Sequence, residues 1–146
     1  MSIYVPSIQG IYTPLASAVR TVSQTINGRT LIDPAYGQGY SGNGINPEAS
    51  GLIAYLNITV APGVETLQLV LEEQDPASLV WSQVTATLVT TATGLVKMKV
   101  KPSITAVAAS ITGVVVQDQL PAIWRIRVVH SAAGSWTYSL GVVLYS

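Results

Sequence analysis

Apolar residues along this chain recur at every second position, not at the three- and four-residue spacing of a helix face. Residues 51–60 place Leu52, Ala54, Leu56, Ile58 and Val60 on one side. Residues 64–73 set Leu67, Leu69 and Leu71 against Gln68, Val70 and Glu72, and residues 95–101 set Val96, Met98 and Val100 against Lys97, Lys99 and Lys101. Near the end, Trp124, Ile126 and Val128 alternate with Arg125, Arg127 and Val129, and Trp136, Tyr138, Leu140, Val142 and Leu144 share one face. Period-2 alternation rich in β-branched and aromatic residues predicts strands. The Thr/Val-rich run 80–91 predicts a bulged or bent strand, and 113–117 a short one. No amphipathic helix longer than two turns is visible. The pattern predicts an all-β chain of about eight strands, an antiparallel β-sandwich or jelly roll. Its core is expected to include Leu56, Leu69, Trp124, Ile126, Tyr138 and Leu140.

The connections are read from Gly, Pro and Asn. A Ser-Ala-Ala-Gly break at 131–134 separates the last two strands and reads as a hairpin turn between them. Asn27-Gly28 is a strong hairpin signal, because both central positions of a type I′ turn need positive φ. Residues 1–16 carry Pro6, Gly10 and Pro14 among apolar side chains, which forbids a long helix and discourages a central strand. We read 1–16 as an extended N-terminal arm lying on its own domain or on a neighbouring subunit. Its candidate contacts are Ile3, Tyr4, Val5, Ile8, Ile11 and Tyr12. Residues 17–146 then form one domain, interrupted by a Gly-rich loop at 33–50. Tyr36 and Tyr40 on that loop are further candidate contacts, since Tyr gives large contact area at low entropy cost.

Composition changes this picture in one respect. Hydrophobic residues make up 49% of the chain and charged residues only 10%, against a usual share of about 25%. A surface so poor in charge suits a protein packed against neighbours. Net charge is zero, so there is no electrostatic footprint for nucleic acid. The N-terminus shows no basic region followed by an apolar run, so no signal peptide is expected, and the uncharged stretch 103–116 is too short to span a membrane.

Catalytic chemistry finds little purchase. There is no Cys, and His130 is the single His, at the end of a strand with no Gly-x-Ser-x-Gly elbow in the chain. Clustered zinc ligands are missing, and no cofactor is expected. Glu72, Glu73 and Asp75 precede Pro76 in what reads as a solvated turn. The three lysines at period 2 read as a strand's solvent face or a protected edge. Trp81 or Trp136 could serve a sugar, but as core residues they need no such role.

From Val60 onward the chain resembles a family of small structural proteins of tailed bacteriophages. The residues that carry the likeness are the Gln74-Asp75-Pro76-Ala77-Ser78 and Thr93-Gly94-Leu95 turns, then Leu120-Pro121 with Trp124-Arg125-Ile126-Arg127-Val128 and His130. The ending Trp136-Thr137-Tyr138-Ser139-Leu140-Gly141 and, upstream, Ala16-Ser17-Ala18-Val19-Arg20-Thr21 also match. The chain departs from the pattern at Ala122-Ile123 and in the length of the 33–50 loop. The resemblance implies a non-enzymatic virion component, foremost a capsid decoration protein made in the host cytoplasm and carried on the outer surface of the head. Its implied partners are further copies of itself and the major capsid protein, with no nucleic acid or membrane. A head fibre, neck or tail component is the alternative within that class, and a carbohydrate-binding β-sandwich module the alternative outside it.

Overall fold

The alternating segments fold into two packed sheets, seen in a computed structural model that describes residues 8–32 and 49–145. In chain order the elements are β1 (Ile8–Arg20), β2 (Gln24–Asn27), α1 (Gly28–Ile32), β3 (Gly51–Val60), β4 (Leu67–Gln74), β5 (Trp81–Ala86), β6 (Gly94–Lys101), β7 (Gly113–Gln117), β8 (Trp124–His130) and β9 (Trp136–Tyr145). One sheet has the order β1-β9-β3-β6-β7 and the other β2-β8-β4-β5. Neighbours run antiparallel except β6 and β7, which are parallel. With β7 set aside, each sheet holds four strands, and the chain passes from one sheet to the other at each connection except β4–β5. That wrapped double sheet is the jelly-roll arrangement of a β-sandwich.

Inward positions follow the period-2 reading. Leu52, Ala54, Leu56 and Ile58 on β3, Leu67, Leu69 and Leu71 on β4, and Val96, Met98 and Val100 on β6 are buried in one cluster. Trp124, Ile126 and Val128 of β8 face Trp136, Tyr138, Leu140, Val142 and Leu144 of β9 across the interior. The six residues named from the sequence, Leu56, Leu69, Trp124, Ile126, Tyr138 and Leu140, all belong to this cluster. Each such side chain contributes roughly 1.5–3 kcal/mol by leaving water. The bend expected in 80–91 sits at a register shift opposite Leu71 and Glu72. Beyond it Thr87 Oγ1 accepts the Leu69 amide at 3.2 Å, and Thr90 closes a two-bond bridge with Leu67.

Three local expectations need correction. The β8–β9 connection is not a hairpin: β8 pairs with β2 and β4, while β9 pairs with β1 and β3 in the opposite sheet. Alternation names the inward face of a strand but not the sheet it joins. The turn is fastened to the β3–β4 crossover, where Thr66 and Ser131 exchange bonds of 2.8 and 3.0 Å and the Glu65 carboxylate is pressed against Gly134.

Asn27-Gly28 also makes no hairpin. Asn27 Oδ1 accepts the Arg29 amide at 3.0 Å and so caps the short α1. Gly28 is needed for space, because a Cβ there would lie 2.5 Å from the Trp124 indole.

The N-terminal arm, finally, joins the sheet. From Ile8 onward it is the edge strand β1, paired to β9 through several register shifts, so the boundary expected at residue 16 falls inside a strand. Arg20 steadies the irregular end of that strand by donating to the carbonyls of Ala16, Ala18 and Tyr138 at 2.6, 3.2 and 2.5 Å. Residues 1–7 and most of the 33–50 loop lie outside the described residues. The loop's last residues are anchored, with Ala49 in the core and Ser50 bonded to Tyr145 and Leu120.

Candidate assembly surface

The outer face of the five-stranded sheet brings the chain's three lysines together. They lie on β6, an interior strand, so they mark a solvent face and not the protected edge that was the other expectation. Lys97 stands opposite Tyr55 of β3, its ammonium 5.9 Å from the ring centroid. Lys101 reaches further. Its side chain crosses Gly51, the partner of Tyr145, where a Cβ would sit 2.9 Å from Lys101 Cγ, to place its ammonium 4.4 Å from the Tyr145 ring. Such cation–π contacts are worth about 0.5–1 kcal/mol at exposed sites. Lys99 lies between Ile53 and Val115. Ile53 is 7% exposed although it faces away from the core cluster. Among the described residues the lysines make no ion pair.

The outer face of the other sheet is internally satisfied. Arg125 Nε donates to Glu72 Oε1 at 2.7 Å, with Arg127 Nη1 3.9 Å from the same oxygen. Arg125 also lies 4.2 Å over the Trp81 ring. The acids expected in one solvated turn are therefore divided: Glu72 and Glu73 belong to β4, and Asp75 alone lies in the turn. Glu72 is an ion-pair partner, and Asp75 accepts the Ala77 amide and the Ser78 hydroxyl at 2.9 and 2.8 Å. Those two bonds hold the exposed Asp75 carboxyl below its usual pKa. Glu73 is exposed and has no ion pair among the described residues.

A third cluster fills one end of the sandwich. His130 Nε2 and Tyr138 Oη are 2.8 Å apart, and the His130 ring meets Trp136 edge-on at 6.4 Å. Arg20 lies 4.9 Å over the Tyr138 ring, and Ser23 Oγ accepts the His130 amide at 3.0 Å. His130 Nδ1, Trp136 Nε1 and Glu65 Oε2 are buried without a hydrogen-bond partner. Burial lowers the His130 pKa from 6.5, opposed by the Glu65 carboxylate and reinforced by Arg20. Burial pushes the Tyr138 hydroxyl up to about 12. Tyr138 and Trp136 have no exposed surface, so neither can touch a substrate; the group ties together the β1–β2, β3–β4 and β8–β9 connections. Among the described residues no trio of His, Asp or Glu is placed to hold a metal.

Apolar side chains interrupt much of the remaining surface. Val19 and Val60 flank Thr137 in register and are 65% and 53% exposed. Leu88, Val89, Leu95, Val107 and Ile111 are also open. Of the candidate contacts, Ile11 is 72% exposed on the edge strand. Tyr12 is instead turned to the core, with its ring folded over Gly10, because it stands opposite the inward Val142. Ile8 stands opposite Tyr145 in the same strand pair. Ile3, Tyr4, Val5, Tyr36 and Tyr40 lie outside the described residues. The lysine–tyrosine lattice escaped the sequence reading because it joins β6 to β3 and β9, and strand order is not written in any one segment.

No family model matches the chain, and no curated protein matches it. Among solved structures the chain is similar to a crystal structure of the Yersinia pseudotuberculosis-derived mitogen, with 12% identity over 94% of this chain and 86% of that one and a TM-score of 0.43. A likeness at that level carries no function across.

Proposed function

We propose that the chain is a non-enzymatic structural subunit of a tailed-bacteriophage virion, and within that class a decoration protein on the outer surface of the head. In this role it binds further copies of itself and the major capsid protein. The observation that carries the reading is the surface: 10% charged residues in the chain, with large apolar side chains left open on both the edge strand and the crossovers. Val19 and Val60 adjoin across Thr137, and adjoining exposed apolar side chains of this kind suit an interaction surface. The residue likeness described above points in the same direction, and the jelly roll is a fold that viral shells use, as lectins do.

The lectin-like alternative is less well supported. Sugar sites need exposed aromatic platforms in a concave setting. Here Trp124 and Trp136 are buried, and Trp81 lies under Arg125. Quantifying the protein in purified virions tests the reading. Hundreds of copies fit decoration, whereas about six to twelve fit a neck or tail ring. Absence from virions would overturn the proposal.

A further inference from the structure

Among the described residues the charges are sorted by place. All three lysines lie on one sheet face with no acid paired to them among the described residues. Among the described residues Asp118 meets this strand through its backbone, its amide bonding the Lys101 carbonyl at 3.1 Å, while its carboxylate accepts the Gln119 amide at 2.7 Å. Both arginines of β8 are already engaged with Glu72.

Glu73 is placed differently. It continues the inward series Leu67, Leu69, Leu71 and stands opposite Trp124, yet it lies past the end of the core and is exposed. There it borders an open groove of about 230 Å³ lined with Gln74, Pro76, Pro121, Ala122 and Ile123. The Gln74 amide bonds the Ile123 carbonyl at 3.1 Å and holds the two walls together. Apolar walls with one carboxylate at the rim fit a lysine side chain, whose alkyl stem prefers apolar surface while its ammonium seeks a charge partner. The chain carries such lysines on a face the groove cannot meet within one molecule, since β6 and Glu73 belong to opposite sheets.

We propose that copies of this chain join head to tail, with the β6 lysine face of one copy seated on the Glu73 groove of the next. The inference rests on the assembly reading above and names its surface. Two different patches make a heterologous contact, which closes into a ring or runs on as a filament.

The test is sedimentation of the purified chain at low and high salt, with charge reversals. Wild type should assemble at low salt and dissociate as salt screens the contact. Lys97→Glu with Lys99→Glu, and separately Glu73→Lys, should each weaken assembly at least about tenfold. Glu73→Gln, which is nearly isosteric, guards against a groove lost to overfilling. Circular dichroism confirms that each variant is folded. Mixing the two reversed variants, or combining all three changes in one chain, should restore assembly. A wild type that stays monomeric, reversals without effect, or a mixture that fails to recover would each overturn the inference. Virion copy number is read separately, so this interface can fail while the virion reading stands.

Discussion

Arg125 pins three strands of the smaller sheet together. From β8 its Nε donates to Glu72 of β4 at 2.7 Å, and its guanidinium lies 4.2 Å over Trp81 of β5. Both partners of the ion pair are largely covered, at 24% and 13% side-chain exposure. Glu72→Ala and Arg125→Ala should each cost about 1 kcal/mol after allowing for the remaining solvent screening. A double-mutant cycle in urea should give a coupling of about 0.5–1 kcal/mol. Arg125→Lys should recover little of it, since an ammonium cannot stack flat on the indole while donating to Glu72.

The two faces of β8 predict a sharp contrast. Trp124→Ala empties a large buried aromatic site and should cost about 3–5 kcal/mol. Arg127 is 3.9 Å from Glu72 and a third exposed, so Arg127→Ala should cost about 1 kcal/mol or less. Gly28→Ala belongs with the first of these, because its new methyl meets the Trp124 ring. Overpacking of that kind costs about 1–3 kcal/mol. Denaturant midpoints of the three variants check the order.

Leu79 offers a stabilising change. It is the one non-glycine residue of positive φ among the described residues, at 63°, in the β4–β5 turn. A branched side chain in that left-handed region costs roughly 1–2 kcal/mol. It is also 64% exposed, so little packing is lost by replacing it. Leu79→Asn should raise stability by about 0.5–1 kcal/mol, read from the thermal midpoint.

His130 makes stability depend on pH. Its folded pKa lies below the ordinary 6.5, chiefly through burial. The unfolded chain therefore binds more protons between the folded value and 6.5, and stability falls as pH drops through that window. Urea melts at about pH 8 and about pH 5 should show wild type losing more than His130→Gln, which has no proton to take up there. Equal losses would mean that the step comes from another group.

The sequence carried the positions of β3, β4, β6, β8 and β9 and the identity of their inward residues, because burial on one face forces strict alternation. Trp124, Leu69 and Leu140 could be named as core without any knowledge of their neighbours. Partnership was another matter. Nothing in Trp124–His130 or Trp136–Tyr145 distinguishes two strands of one sheet from two strands facing across an interior. Gly28 and Gly51 look like ordinary turn or strand-weakening glycines until Trp124 and Lys101 are seen lying over them. Tyr12 reads as a contact because Pro14 and Gly10 disguise a strand whose register shifts absorb them.

The position of β9 sets the order in which this molecule can be made. It lies between β1 and β3, so the larger sheet has a gap between its edge strand and the rest until residues 136–145 are present. While the chain is being synthesised, β1 has no neighbour to pair with, and β3 can pair only with β6. Tyr12, Leu15 and the inward face of β3 must then wait in contact with water or with a chaperone. Closure of the larger sheet waits for residues 136–145, and a chain stopped short of Trp136 would carry an open slot bordered by two unpaired strand edges, the kind of surface that leads to aggregation.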